Sequence, residues 1–189
     1  MSYSNQNYLD QMSHFVTVIP QKYMDALLSL NGKLENKNII WTVSGDLAER
    51  MRLVRVEVDC IEIVTSKEGA EQIFQEVQEY KPRKLGIQTR RLQRDADICK
   101  EVFPVYVRSY SFEFNINDVT VKVQGDLQFK VGNWEWGEVF DFNPEYINVT
   151  GKTIAVIPLS IQYEFYQSLG WTDRAVKIFQ VIKKPSSAK

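Results

Sequence analysis

The chain has 189 residues and a formal net charge of −1, from 23 basic and 24 acidic residues. This balance excludes a strong overall attraction to polyanions, although a local basic patch is compatible with it. Hydrophobic residues make up 44% of the chain and aromatic residues 12%, which indicates a packed core and argues against intrinsic disorder. A chain of this length is typical of one globular domain.

Residues 1–14 (MSYSNQNYLDQMSH) are polar and lack the basic region and apolar run of a secretory signal. No apolar stretch approaches the roughly 20 residues that a membrane-spanning helix needs. We therefore expect a cytoplasmic protein without a membrane partner. We also expect disorder at residues 1–13 and 184–189, with a single domain over residues 14–183.

The cysteines and the histidine exclude several kinds of site. Cys60 and Cys99 lie far apart and belong to no Cys/His cluster, so we expect no structural zinc site and a reducing, intracellular location. His14, the only histidine, lies in the polar N-terminal segment. Catalysis by Ser-His-Asp or Cys-His groups depends on a histidine, so we expect neither mechanism.

Hydrophobic periodicity predicts helices and strands in alternation along the chain. The predicted helices cover residues 23–33, 46–52, 67–80, 159–169 and 172–182. The predicted strands cover residues 38–43, 53–64, 105–116, 119–131 and 154–157. This order predicts an α+β fold, with one mixed β-sheet, helices packed on one side and a C-terminal helical segment. We expect the strands around residues 39–43, 53–64 and 119–131 to be neighbours.

The candidate site lies in residues 38–64. Ser44 and Gly45 form a small-residue turn that could admit a phosphate, and the predicted second strand follows a short helix. Glu57 and Asp59 share one face of that strand, because side chains two apart point the same way. Paired carboxylates suit a divalent cation such as Mg²⁺. The alternative is that both side chains belong to the solvated face of a half-exposed strand.

This segment, together with the run from Ile157 to Ile178 (IPLSIQYEFYQSLGWTDRAVKI), resembles the nucleotidyltransferase superfamily of the polymerase-β type. The resemblance is to its small, minimal prokaryotic members and covers residues 39–182. Those proteins carry a Gly-Ser or Gly-Gly turn that opens a helix, then a strand with an acidic-x-acidic pair. They end with an I-P-L segment that runs into the final helix.

The resemblance implies a nucleotidyltransferase-like fold and a metal-dependent activity. A nucleoside monophosphate would pass from an NTP, with ATP as the expected nucleotide, to a hydroxyl on a protein, a nucleic acid or a small molecule. Glu57 and Asp59 would be the catalytic carboxylates and the Mg²⁺ ligands. Ser44 and Gly45 would bind the phosphates of the nucleotide.

Several residues depart from the family's pattern. Lys122 stands where the family's third carboxylate usually lies, and Asp126 shares its face but is roughly 13 Å further along the strand. Gln167 and Trp171 stand where lysine and arginine are common. These departures leave open the alternative that the chain is catalytically degenerate. It would then bind a nucleotide or a protein, for example as a toxin–antitoxin-like partner.

Two further segments are candidate binding surfaces. Residues 81–94 hold six cations and no acid, which fits either a solvated strand or a patch that contacts the phosphates of RNA, DNA or a nucleotide. Residues 129–142 concentrate aromatic side chains, including Trp134 and Trp136, among acidic ones. They fit either a hairpin that packs into a secondary core or an exposed surface for a protein partner.

Overall fold

The computed structural model describes residues 19–83, 85–92, 103–141 and 143–183. The helices are α1 (Gln21–Leu34), α2 (Gly45–Arg50), α3 (Lys67–Glu76), α4 (Leu159–Leu169) and α5 (Thr172–Ile182), with a short 3-10 helix at Gln78–Tyr80. The strands are β1 (Trp41–Ser44), β2 (Ile61–Thr65), β3 (Gly86–Leu92), β4 (Val105–Ile116), β5 (Val119–Val131), β6 (Glu145–Val149) and β7 (Lys152–Val156). Within these ranges no helix is long and apolar enough to cross a membrane. The predictions for residues 1–13 and 184–189, and for His14 and Cys99, fall outside the described residues.

The seven strands form one mixed sheet in the order β3-β4-β5-β2-β1-β7-β6. β2 pairs with β5 in parallel and β1 pairs with β7 in parallel, whereas the other neighbours are antiparallel. The α+β fold with a mixed sheet is confirmed, and so is the prediction that β1, β2 and β5 are neighbours. β3, at one edge of the sheet, agrees with the solvated strand that was one of the two interpretations of residues 81–94, whereas β6, at the other edge, was not predicted.

The two faces of the sheet are covered differently. On one face, alternating apolar residues of β2 and β5 pack under α1 and α3 and form the main core, which includes Ile61, Ile63, Val121, Val123, Leu27, Leu30 and Ile73. On the other face, Leu169 of α4 packs with Val64 and Leu127. α5 in turn packs against α4. The C-terminal helices therefore cover only part of this second face, and the half-buried side chains of β5 lie beside them.

The structure corrects the prediction of a single strand over residues 53–64. Strand β2 begins only at Ile61, and residues 54–60 form no strand. Leu53 has a left-handed backbone (φ 69°), and the N–H of Val54 donates to the carbonyl of Glu49, so the chain turns back against α2. Val54 and Val56 then pack with the C-terminal helices. Their alternation reflects this tertiary contact, which the sequence pattern cannot distinguish from sheet pairing.

Helix α3 lies very close to β5 at Gly125. A Cβ atom added to Gly125 would lie 2.7 Å from the carbonyl oxygen of Ser66 and 3.0 Å from the Cα of Lys67. Both are backbone atoms at the start of α3, so they cannot rotate away as a side chain could. The absence of a side chain at Gly125 therefore sets the distance between α3 and the sheet.

We expect Gly125→Ala to lower the free energy of unfolding by about 1–3 kcal/mol, because the added methyl group must displace the start of α3. Gly86→Ala is the matched control, since a Cβ at this strand position would meet nothing within 4 Å. Urea denaturation of the two variants and the wild type provides the measurement. Equal stabilities of the two variants would contradict the close packing.

Candidate functional site

A cleft of about 240 Å³ lies on the second face of the sheet, where α4 and α5 meet β1, β2 and β5. Polar side chains line one part of it, including Ser44, Asp46, Glu62, Gln124 and Arg174. Aromatic and aliphatic side chains line the other part, including Phe129, Phe140, Phe165 and Ile161. The cleft thus combines an apolar wall with a few polar groups, as small-molecule sites in proteins generally do.

Four side chains form a row across this face of the sheet: Ser44 and Glu62 line the cleft, and Lys122 and Glu113, which pair with each other, line the cavity beside it. Ser44 of β1 pairs with Glu62 of β2, and Glu62 pairs with Lys122 of β5. Directly paired residues of adjacent strands lie on the same face of a sheet, so Glu62 stands between a hydroxyl and an ammonium group. The Ser44 hydroxyl also donates to the backbone carbonyl of Glu62, at 3.4 Å.

The turn at Gly45 brings the backbone against the Glu62 carboxylate. Gly45 has a left-handed backbone (φ 63°), which favours glycine. A Cβ atom at this position would overlap Oε2 of Glu62. The conformation therefore favours glycine at position 45, whereas the Glu62 carboxylate is the end of a flexible side chain that could move away from a larger residue.

Cys60 lies at the start of this row. Burial raises the pKa of this thiol and the nearby Glu62 carboxylate adds to the effect, whereas Lys122 opposes it. Lys122 therefore lies close enough to influence Cys60 as well as its strand partner Glu62.

The predicted carboxylates lie elsewhere. Glu57 and Asp59 are exposed side chains in the irregular segment before β2, and neither is among the residues that line the cleft. The premise that they share a strand face is wrong, because that strand begins after them. Their roles as catalytic residues and metal ligands stay a prediction. The structure pairs Lys122 with Glu62, and not with either of these residues.

The floor of the cleft does not fit a Mg²⁺ ion. Mg²⁺ binds oxygen ligands, chiefly carboxylates. The groups at this position are the thiol of Cys60, the carboxylate of Glu62 and the cationic Lys122, which repels a metal ion. Two further carboxylates lie nearby, but Glu113 is paired with Arg83 and Asp46 with Arg174. In the part of the chain that the structure describes, no group of three or more His, Cys, Asp or Glu side chains is placed to hold a metal.

A buried ionic cluster connects α5 to α2 at one side of the cleft. The guanidinium of Arg174 pairs with Asp46 and donates to Oε1 of Glu49 at 3.0 Å. The hydroxyl of Tyr166 donates to the same oxygen. The guanidinium also lies 4.5 Å from the centroid of the Tyr166 ring. These contacts hold the last helix against the helix that begins at Gly45.

Burial is the largest influence on the pKa values of Glu49 and Arg174. Glu49 is fully buried, and this burial raises the pKa of its carboxyl group, while Arg174 and Tyr166 lower it in part. Burial alone would lower the pKa of Arg174, but Tyr166, Glu49 and Asp46 raise it overall. Arg174 therefore stays charged and its charge is divided between two carboxylates.

The two predicted binding surfaces are only partly connected to the cleft. In the basic run, Arg90 of β3 lines the cleft, whereas Arg91 is exposed. In the aromatic run, the Phe140 ring packs 5.8 Å from the Phe129 ring, and Arg108 covers Trp136 at 4.4 Å. Trp134 is 71% exposed. This segment therefore contributes both to a secondary core and to the surface.

The prediction missed several residues of the cleft, although Ser44 and Gly45 do line it. Glu62 was missed because the strand was placed too early. Gln162 and Arg174 were missed because, in these helices, only Gln167 and Trp171 were compared with the family's pattern. One signal was available: Gln162 falls on the apolar face of helix 159–169, where a polar residue is unexpected.

Comparison with known proteins identifies the fold. No family model matches the chain, and no curated protein matches it in sequence. The crystal structure of a candidate nucleotidyltransferase from Thermotoga maritima has a TM-score of 0.65 at 24% identity, over 88% of this chain and 96% of that one. The lincosamide antibiotic adenylyltransferase LnuA, bound to lincomycin, has a TM-score of 0.50 at 9% identity, over 83% and 96% of the two chains. The chain therefore has the nucleotidyltransferase fold, and at these identities the likeness extends to the fold alone.

We expect Glu49→Gln to change how stability depends on pH. Because burial raises the pKa of Glu49 in the folded protein, the stabilising contribution of this group is fully present below the unfolded pKa. It is lost as the pH rises through the folded pKa. The variant keeps the side-chain shape but cannot ionise, so its stability relative to the wild type should increase from about pH 4 upward.

Urea unfolding over a series of pH values measures this effect. Glu164→Gln is the control, because Glu164 is exposed on α4 and its substitution should leave the pH dependence as in the wild type. If the free energy of unfolding depends on pH in the same way for the wild type and Glu49→Gln, then the folded protein does not raise the pKa of Glu49.

Proposed function

We propose that this chain binds a nucleotide in the cleft and does not transfer it by the divalent-cation chemistry of active nucleotidyltransferases. The observation that carries the proposal is the pairing of Glu62, which lines the cleft, with Lys122, which lines the adjoining cavity. In the family that the sequence resembles, a third carboxylate usually lies at the position of Lys122. A fixed ammonium group here supplies positive charge where an active enzyme would collect a metal ion.

The charges around the floor support a phosphate-containing ligand. A second cavity of about 220 Å³ adjoins the cleft, since Arg90 and Gln124 line both, and Lys122, Ser109 and Ser111 also line it. The acidic residue in this cavity, Glu113, is paired with Arg83. The cavity therefore offers two cations together with hydroxyl donors, which are the groups that bind phosphate oxygens.

The apolar wall supports a ligand with an aromatic part. The centroids of the Phe129 and Phe165 rings lie 4.9 Å apart, and the Phe140 ring packs edge-on to Phe129 at 5.8 Å. A nucleobase that enters the cleft would bury its ring against these side chains and leave its phosphates toward Lys122 and Arg90. The names of the two proteins that share the fold, a candidate nucleotidyltransferase and an adenylyltransferase, support an NTP and in particular ATP.

The side chains in and beside the cleft can account for binding of a nucleotide, but they do not account for transfer of its nucleoside monophosphate. Lys122 and Arg90 would neutralise the phosphate oxygens, and Ser44 would donate or accept a hydrogen bond at the turn. Transfer needs a charged group that stabilises the leaving pyrophosphate and a base or metal that activates the acceptor hydroxyl. Asp46, the other carboxylate that lines the cleft, is already paired with Arg174.

Transfer of a nucleoside monophosphate from ATP to a hydroxyl acceptor is the second candidate function. The fold shared with LnuA, an adenylyltransferase by name, favours it. It requires Mg²⁺ to bind at the predicted pair Glu57 and Asp59, or beside Glu62. The experiments below separate the two candidates by the metal dependence of nucleotide binding.

We expect the wild-type protein to bind ATP in the presence of EDTA. Lys122→Met should weaken this binding by about 10- to 100-fold, because it removes a charge-assisted hydrogen bond to phosphate. Lys177→Met, an exposed position on α5, is the matched control and should bind as the wild type does. Isothermal titration calorimetry measures all three. Two results together would establish the transferase instead. ATP binding would need Mg²⁺, and radioactive ATP would label an acceptor in a reaction that Asp59→Asn abolishes.

We expect the double variant Cys60→Asp/Lys122→Asp to bind Mn²⁺ at least about tenfold more tightly than the wild type. With Glu62 it places three carboxylates on one face and removes the repelling ammonium group. Thr120→Asp is the control, because it adds a carboxylate two residues away on the same face of β5. Calorimetric titration with Mn²⁺ is the measurement. Equally tight binding by the wild type would show that its own carboxylates already form a metal site.

A further inference from the structure

Gln162 is a buried polar side chain that faces the cleft without a protein partner. It is only 5% exposed and is one of the residues that line the cleft. Neither its amide nitrogen nor its amide oxygen has a hydrogen-bond partner among the described residues. The buried face of α4 is otherwise formed by Leu159, Tyr166 and Leu169, so the amide interrupts a largely apolar stripe.

An unpaired buried amide is costly. Burial removes the hydrogen bonds that water would provide, and native proteins satisfy nearly all of their buried polar groups. Leucine at position 162 would continue the apolar stripe of α4 and remove this cost. The presence of glutamine is therefore explained if the amide gains its partners from a molecule that fills the cleft.

The chemistry of an amide restricts what that partner can be. Gln162 donates from Nε2 and accepts at Oε1, side by side and without charge. Phosphate groups offer only acceptors and are better matched by the cations Lys122 and Arg90. The edge of a nucleobase presents an adjacent donor and acceptor, as adenine does with its amino group and a ring nitrogen. Its flat ring also suits the wall formed by Phe129 and Phe165.

We infer that Gln162 recognises the polar edge of the nucleobase and thereby sets the base preference of the cleft. This inference rests on the proposed nucleotide-binding function, and it adds a specificity-determining residue to it. Lys122 and Arg90 hold the charged end of the ligand, which is common to all nucleotides. Gln162 holds the end that differs between them.

The test compares ATP, GTP, CTP, UTP and inorganic tripolyphosphate by calorimetry in EDTA. We expect the wild type to prefer one base by about 10- to 100-fold, the usual discrimination of a bidentate amide–base pair. Gln162→Leu should bind the four nucleotides with nearly equal affinity and should bind tripolyphosphate as the wild type does. Gln72→Leu, on the exposed face of α3, should retain the wild-type pattern.

A second readout distinguishes recognition from a structural role. Without nucleotide, Gln162→Leu should raise Tm by about 2–4 °C, because it removes a buried amide that has no partner. Gln72→Leu should leave Tm unchanged. Gln162→Met, which keeps an unbranched side chain, provides a second variant if leucine disturbs the packing of α4.

Several results would overturn the inference. If the wild type shows no base preference, or if Gln162→Leu and Gln162→Met keep it, then Gln162 does not recognise the base. The proposed function would still hold in that case, because nucleotides and tripolyphosphate would still bind. Loss of tripolyphosphate binding in the Gln162 variants would show a structural role. If the wild type binds neither nucleotides nor tripolyphosphate, both this inference and the proposed function fail.

Discussion

The contact between Arg174 and the two carboxylates of α2 is the interaction on which the cleft depends. Glu49 is fully buried, and a buried carboxylate is tolerated only where a cation and hydrogen bonds compensate it. Arg174 supplies that charge from the last helix and reaches Asp46 at the same time. The pairing therefore ties α5 to the helix that follows the Ser44–Gly45 turn, and the side wall of the cleft is held by charge as well as by apolar packing.

The carboxylate of Glu62 is compensated by a different kind of charge. In an active nucleotidyltransferase, neighbouring carboxylates are stabilised by a mobile divalent cation, whereas here Glu62 has the ammonium of Lys122 as its neighbour on β5. A lysine is attached to its strand, so its positive charge is present at any metal concentration. It can attract phosphates, but it cannot polarise a phosphoryl group as a metal ion does. This exchange of cations is the basis of the proposal that the chain binds a nucleotide without metal-dependent transfer.

The sequence predicted the regular parts of this structure and missed those that depend on distant contacts. The alternation along β5 placed Val121 and Val123 in the core and Lys122 on the opposite face, as observed. The same kind of alternation at Val54 and Val56 arises from packing against the C-terminal helices, and it led to a strand that begins too early. A difference of three residues, from Asp59 to Glu62, decides which carboxylate faces the cleft. No local pattern specifies that register, because the parallel pairing of β2 with β5 sets it.

Among the residues that the structure describes, two buried polar side chains near the cleft keep atoms without partners: Glu49 at Oε2 and Gln162 at both amide atoms. Sequences generally avoid such groups, and departures from this rule concentrate at functional sites. The two cases differ in an informative way. Glu49 still has two donors, so its ionic contacts explain why an acidic residue is present. Gln162 has none among the described residues, and an apolar side chain would serve the helix better. Stability therefore does not account for glutamine at this position, whereas the proposed recognition of a neutral nucleobase edge would.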